Sequence, residues 1–240
     1  MNRFYDPIVG ATTREGRFKR LLLEQASPEP GQRILDLGCG TGTLTILIQE
    51  SEPAARVQGV DADSEILAQA SDKAGRRGLS QIHFEQAFAD ELPYRESFFD
   101  QVVSTLFFHH LTTSGKRGAA AEIARVLRPG GQLHVADWGK PAGLGMRALS
   151  LSIRLLDGFE PTRDNFNGRL PEIFEEGGLI DVHQTGQLRT ALGTIARYAA
   201  KKPAVGMSPG GPIAAGALEP GRGSCSAPGR WSTRRATREV

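Results

Sequence analysis

Cysteine is scarce, with two in 240 residues, Cys39 and Cys225. Two thiols build neither a disulfide framework nor a four-thiolate zinc site. Long apolar runs are also missing: nothing approaches the ~20 residues needed to cross a bilayer. The opening residues, Met1-Asn2-Arg3-Phe4-Tyr5-Asp6-Pro7, lack the apolar stretch of a secretory signal, so a cytoplasmic, reducing setting is expected. An excess of one charge is lacking too. Net charge is +2, but residues 204–240 hold five Arg and two Glu, which leaves 24 basic and 25 acidic residues, or −1, for the rest. That body lacks the basic footprint of a nucleic-acid binder, and no nucleic-acid partner is expected. What is present, 39% hydrophobic residues over this length, suits one α/β domain and excludes a collagen or a wholly disordered chain.

The character of the chain changes near Pro203. Residues 204–240 carry seven Gly and four Pro without a hydrophobic period, and read as a disordered tail. Residues 1–203 read as one domain in which strand-like and helix-like stretches alternate. Helical patterns cover 14–26, 43–50, 64–77, 116–127, 143–156 and 170–176; strand patterns cover 32–37, 56–60, 81–85, 98–106 and 132–137. Two late strands, 182–188 and 194–199, read as a hairpin. Such alternation implies βαβ units around a mostly parallel sheet buried on both faces.

The most informative stretch is Ile34-Leu35-Asp36-Leu37-Gly38-Cys39-Gly40-Thr41-Gly42, a strand followed by three alternating glycines and a helix. Glycine permits a sharp turn and leaves no Cβ in the path of a ligand. A dinucleotide fingerprint would need glycine at the sixth position from Gly38, and Thr43 stands there. Asp36 would repel a pyrophosphate, but it suits a cationic amino group. Asp61 closes the next strand, placed to accept hydrogen bonds from both hydroxyls of a ribose. Its competing role, capping the following helix, fits Asp63 or Ser64 better.

These motifs, with Ser97-Phe98-Phe99-Asp100-Gln101-Val102-Val103 and Arg125-Val126-Leu127-Arg128-Pro129-Gly130-Gly131, resemble a class I S-adenosylmethionine-dependent methyltransferase, specifically the ubiquinone/menaquinone-biosynthesis group. The resemblance runs from Tyr5 to Pro203. It implies a Rossmann-like three-layer α/β sandwich with a seven-stranded sheet of order 3-2-1-4-5-7-6, strand 7 antiparallel. It implies S-adenosyl-L-methionine as cofactor, its methionine part on Asp36 and the Gly38-Cys39-Gly40 backbone near Gly42, its ribose on Asp61 beside Ala62. Ala87, Phe88 and Thr105 complete the cofactor set. Many relatives carry an Asp four residues before Leu-Pro to hold adenine; here Leu92-Pro93 is present, but that slot is Phe88. Stacking on Phe88, with Asp90 as a substitute, is therefore expected.

In methyl transfer the protein mainly positions the nucleophile, which is worth ~7–11 kcal/mol when reactants are held near attack distance. Phe107-Phe108-His109-His110-Leu111 follows the fourth strand and should sit at the rim, with Phe108 shaping an acceptor pocket and His109, or less so His110, serving as base. Asp137 ends the fifth strand as a second candidate for base or substrate contact. Asp157, Arg163 and Asn165, read as part of a loop insertion, are candidate acceptor contacts. In similar enzymes a segment such as the one containing Tyr5 closes over the cofactor, so residues 1–27 are expected to form a lid and a helix. His83, His134 and His183 lie within strands and read as structural. The expected function is methyl transfer to a small, partly apolar acceptor, such as a quinone precursor or a lipid-like metabolite, by a monomer or homodimer. The rivals are a noncatalytic S-adenosylmethionine-binding module and a nicotinamide-dependent oxidoreductase.

Overall fold

A computed structural model of the chain describes residues 15–141, 143, 145–146 and 158–206. These lie in the first of two compact units, Met1–Pro209; the second, Gly210–Val240, is outside the described residues. The chain enters through helix α1 (Glu15–Ala26), strand β1 (Arg33–Leu37), α2 (Thr43–Ser51), β2 (Arg56–Asp61), α3 (Ser64–Arg76) and β3 (His83–Gln86). It continues through β4 (Phe99–Thr105), a 3-10 turn (Phe108–His110), α4 (Thr113–Val126) and β5 (Leu127–Trp138). Helices α5 (Phe159–Asn167) and α6 (Leu170–Glu176) precede a closing hairpin, β6 (Ile180–Arg189) and β7 (Thr194–Lys201).

The sheet runs in the order β3-β2-β1-β4-β5-β7-β6. β1 pairs in parallel with β2 and β4, and β7 is antiparallel to β5 and β6, as the resemblance implied. Alternate residues of β1 feed two separate cores. Leu35 and Leu37 join Ile123, Leu170 and Phe174 on one face. Ile34 joins Phe18, Leu22 and Leu44 on the other. The two helical layers thus sandwich the sheet, and period-two alternation turns Asp36 toward the α1–α2 side.

Helix α1 runs opposite to the parallel strands. Its C-terminal Ala26 carbonyl accepts from Gln101 Nε2 at 3.0 Å, near the start of β4. Higher up, the Leu21 carbonyl accepts from Arg197 Nη1 at 3.0 Å, where Arg197 lies opposite Ala136 late in β5. The N-terminal turn of α1 therefore reaches the carboxyl ends of the strands. His134 is buried between Gln25 and the sheet, and burial lowers its pKa to about 4, so it stays neutral. His83 and His183 are surface residues at opposite sheet edges.

Most element ends shift by up to three residues from the sequence reading, and two differences are larger. β5 starts at Leu127 rather than Gln132, because Gly130 and Gly131 exchange backbone bonds with Lys202 and carry the Pro-Gly-Gly stretch into the sheet. The loop expected to contain Arg163 and Asn165 is helix α5, bounded by Gly158 (φ 94°) and Gly168 (φ 76°). Most of the helix expected at 143–156 lies outside the described residues.

Candidate functional site

The glycine turn sits at the carboxyl end of the central strand, where an open α/β sheet leaves a crevice. Gly38, Gly40 and Gly42 all have left-handed φ, between 53° and 70°. Gly38 is also required by space, since a Cβ there would fall inside the ring of Phe107. The turn's N–H groups are already committed. Gly38 and Cys39 donate to the Val60 carbonyl at 2.9 and 3.0 Å, and Gly40 donates to Asp61 Oδ2 at 2.9 Å. A ligand that reaches Gly38 therefore meets no cradle of N–H donors from these three residues. Gly42 packs on Ala70 and Phe84, away from the crevice. Cys39 is buried; burial first, then the charges of Asp36 and Asp61, push its thiol far above the usual range, so it is chemically quiet.

Asp36 is 0% exposed. Its Oδ2 accepts from Thr45 Oγ1 at 2.6 Å, and its Oδ1 has no partner among the described residues. Burial pushes its pKa from 3.8 up to about 6, against the opposing pull of Thr45 and of the Lys19 charge. An unmet buried carboxylate oxygen is costly unless something cationic completes it. Asp61, at the tip of β2, is held by Gly40 N–H and by Asp63 N–H, which reaches Oδ1 at 3.1 Å. Each oxygen keeps a lone pair for a diol. Asp63 takes over the helix cap, accepting from Glu65 and Ile66 N–H.

A cleft of about 200 Å³ opens over the turn. Gly38, Asp61, Ala62, Ala87, Phe88 and Phe107 line it, together with Asp90 and Leu111. Phe88 is 69% exposed, which is unusual for so large an apolar ring and leaves its face free for stacking. Thr105 ends β4 opposite Ala136 and does not border the cleft. A larger hollow of about 460 Å³ lies by Thr41 and the basic residues Lys73, Arg76 and Arg77. It borders neither Gly38 nor Asp61 and is separate from this site.

The structure brings His109 and Asp137 together. His109 Nδ1 lies 2.7 Å from Asp137 Oδ1, and both side chains are buried. Asp137 also accepts from Phe107 N–H at 3.0 Å and Trp138 N–H at 2.6 Å. Burial alone would raise its pKa, but His109 and these hydrogen bonds hold it below the usual carboxylate range. The pair is thus tied to the backbone of Phe107, a residue that borders the cleft, and neither His109 nor Asp137 lines that cleft.

Phe108 corrects the sequence reading. It is fully buried, edge-on to Phe174 with centroids 5.1 Å apart, because the 3-10 turn rotates it into the core. Phe107 takes the cleft position instead. It follows Leu106, whose φ of 49° is left-handed and whose N–H donates to the Ala136 carbonyl at 2.8 Å. Asn165 is also corrected: it is buried and donates to the Trp138 carbonyl at 3.2 Å, joining α5 to β5. Arg163 is exposed on α5 and does not border the cleft. Tyr5 and Asp157 lie outside the described residues. His110 is exposed, with its ring centroid 3.9 Å from that of His109.

Sequence reasoning missed the support beneath α5. Lys116 is 0% exposed; its ammonium donates to the carbonyls of Leu111 at 2.7 Å and Pro161 at 2.5 Å. It lies 3.6 Å from Asp164, which also accepts from Thr113 and Arg169. Only the apolar spacing of α4 around it hinted that position 116 faces inward.

Residues 34–131 match the family described as "Methyltransferase domain". A demethylmenaquinone methyltransferase of Thermus thermophilus is 38% identical over 125 residues, which are 52% of this chain and 56% of that protein. The chain spans about half the length of the curated relatives it matches. Among solved structures, the [4+2]-cyclase SpnF superposes with a TM-score of 0.63 at 23% identity, covering 78% of this chain and 81% of that one. A Haemonchus contortus phosphoethanolamine N-methyltransferase in complex with S-adenosyl-L-methionine gives 0.63 at 19% identity, covering 78% and 52%. At these identities the two structures speak for the fold. The chain resembles the class I methyltransferases of the ubiquinone/menaquinone group.

Proposed function

We propose that this chain is an S-adenosylmethionine-dependent methyltransferase acting on a small, partly apolar acceptor, such as a quinone precursor. The observation that carries the reading is the pair of acids at adjacent strand tips. Asp36, on β1 just before the glycine turn, has a buried oxygen with no partner among the described residues that suits an ammonium, and Asp61, at the cleft, offers a fixed carboxylate that suits a ribose diol. That donor set fits S-adenosylmethionine, which supplies a sulfonium-bound methyl group for in-line displacement.

The chain's own residues then have separable tasks. Asp36 holds the amino group, Asp61 the ribose, and the exposed Phe88 ring the adenine. Phe107, Leu111 and Ala87 give the cleft an apolar wall for the acceptor and exclude water from it. As the new bond to the acceptor forms, the carbon–sulfur bond breaks, sulfur keeps the electron pair, and the acceptor's proton must leave. His109 is the proton acceptor we propose, its ring fixed by the ionised Asp137; such a base is worth roughly 10²–10⁴-fold. The quinone-type acceptor draws support from the Thermus relative and from the apolar wall.

Calorimetry with adenosylhomocysteine, and with a nicotinamide dinucleotide as control, tests the cofactor. Transfer of labelled methyl groups to a naphthoquinol with one open ring carbon tests the acceptor. Expected are binding of adenosylhomocysteine alone, label on the quinol, and loss of transfer with retained binding in His109→Ala. Nicotinamide binding alone would refute the cofactor assignment. Tight adenosylhomocysteine binding without transfer to any apolar quinol would leave a binding module.

A further inference from the structure

Helix α4 carries Gly115, Gly118, Glu122 and Arg125 three or four residues apart, along one face. All four meet the cleft or the segment that builds its Phe88 side. Gly115 lines the cleft together with Phe88 and Asp90. Glu122 Oε2 accepts from the Leu92 N–H at 2.8 Å. Arg125 donates to the carbonyls of Leu92 at 3.0 Å and Tyr94 at 2.7 Å, and is itself paired twice with Glu122. The segment is therefore anchored to α4 just beyond the turn that holds Phe88 and Asp90. That turn is closed on itself, the Glu91 N–H donating to the Phe88 carbonyl at 3.1 Å.

Gly118 faces that turn. Its backbone is ordinary right-handed helix, so its φ does not call for glycine. Glycine inside a helix is also less stable than alanine. Space accounts for it: a Cβ on residue 118 would stand 2.8 Å from Asp90 Cβ, closer than such atoms approach in practice. Asp90 Cβ is not the end of a flexible side chain, so backbone must give way. Leu92 cannot retreat, because it is buried and both its N–H and its carbonyl are held by α4. Movement therefore falls on residues 88–91, and the Phe88 ring goes with them. Resting on the cofactor reading above, we propose that Gly118 is a positioning residue, whose missing side chain sets how closely the Phe88 turn approaches α4. The width of the cleft on its adenosine side is thereby fixed by α4, with Glu122 and Arg125 holding the anchored end of the turn.

A double-mutant cycle between positions 118 and 90 tests it. The parent chain, Gly118→Ala, Asp90→Gly and the double variant are titrated calorimetrically with two ligands. One is adenosylhomocysteine; the other is methylthioadenosine, which keeps the adenosine and lacks the amino-acid group. Gly118→Ala should weaken both ligands in similar proportion, by about 5–50-fold, a partial loss of base–aromatic stacking. Its melting temperature should hold or rise, because alanine suits a helix better. In the Asp90→Gly background, where no Cβ opposes the added methyl group, Gly118→Ala should cost less than about 2-fold. Equal losses in the two backgrounds, unchanged affinity in a folded Gly118→Ala variant, or a loss confined to adenosylhomocysteine would each overturn the proposal. A Gly118→Ala chain that does not fold would overturn it as well, since the clash would then fall on the core and not on the turn. Failure of the parent to bind either ligand would instead defeat the cofactor reading itself, and this proposal with it.

Discussion

Replacing Asp36 by Asn should make the ligand-free protein more stable while damaging its ability to bind cofactor. In the folded chain the carboxyl is fully buried and its pKa stands at about 6 against an ordinary 3.8. At about 1.4 kcal/mol per pH unit, the ionised form then costs the ligand-free fold about 3 kcal/mol at pH 7.5. An amide keeps an acceptor for Thr45 and removes the charge, but brings unmet donors of its own, which cost roughly 1–3 kcal/mol. The net gain should be up to about 2 kcal/mol, or a rise of several degrees in melting temperature for a domain of this size. The pH dependence fixes the sign. The folded carboxyl has the raised pKa, so the stability this group contributes is present below pH 3.8 and lost as pH rises through about 6. Parent and variant should therefore converge by about 2 kcal/mol between pH 7.5 and 4.5. Urea unfolding at the two pH values measures this. Calorimetry with adenosylhomocysteine should show the opposite trend, with affinity about 10–150-fold weaker in Asp36→Asn than in the parent. In the parent, affinity should fall as pH drops below about 6 and the acid that faces the ligand's ammonium becomes neutral. A variant less stable than the parent at pH 7.5, or a gap that ignores pH, would refute the idea that this charge is held at a cost for a ligand.

Phe88→Ala should weaken adenosylhomocysteine binding by about 5–150-fold, the range of base–aromatic stacking, and barely move the melting temperature, because the ring is 69% exposed. Unchanged affinity in Phe88→Ala with a loss in Asp90→Ala would move adenine recognition to the acid. Lys116→Met removes a fully buried ammonium from two carbonyls and from Asp164. It should cost up to about 3–5 kcal/mol in urea unfolding while leaving cofactor affinity near the parent value; an unchanged midpoint would show that the network is not structural. Asp137→Asn should uncouple His109 and loosen Phe107, lowering methyl transfer at least about 10²-fold with adenosylhomocysteine affinity retained, measured under single-turnover conditions.

The alternation of strands and helices was legible because it rests on local, periodic signals, whereas the sheet order followed from the resemblance to a known family. A strand, a glycine turn and a helix follow one another within 20 residues at Ile34–Ser51, and the apolar runs of a doubly covered sheet are hard to mistake. What failed depended on rotation about the chain. Phe107 and Phe108 are identical in composition and adjacent in sequence; only the 3-10 turn decides which ring meets the cleft. The stretch at 159–167 reads as a polar loop, since Thr162, Asp164 and Asn165 find their partners on Gly158, α4, Arg169 and β5, half of them remote in sequence. Lys116 escaped for the same reason. A lysine on an amphipathic helix is normally solvated, and nothing within α4 announces a buried anion opposite.

Leu106 carries a wider consequence. A branched L residue held in the left-handed region gives up about 1–2 kcal/mol, and here its N–H bond to Ala136 and its apolar contacts must sustain that posture. The aim of the Phe107 ring is thereby a property of the whole β4–β5 seam, not of one side chain's rotamer. A glycine replacing Leu106 would relieve the strain at the expense of those apolar contacts, and would free the ring to wander.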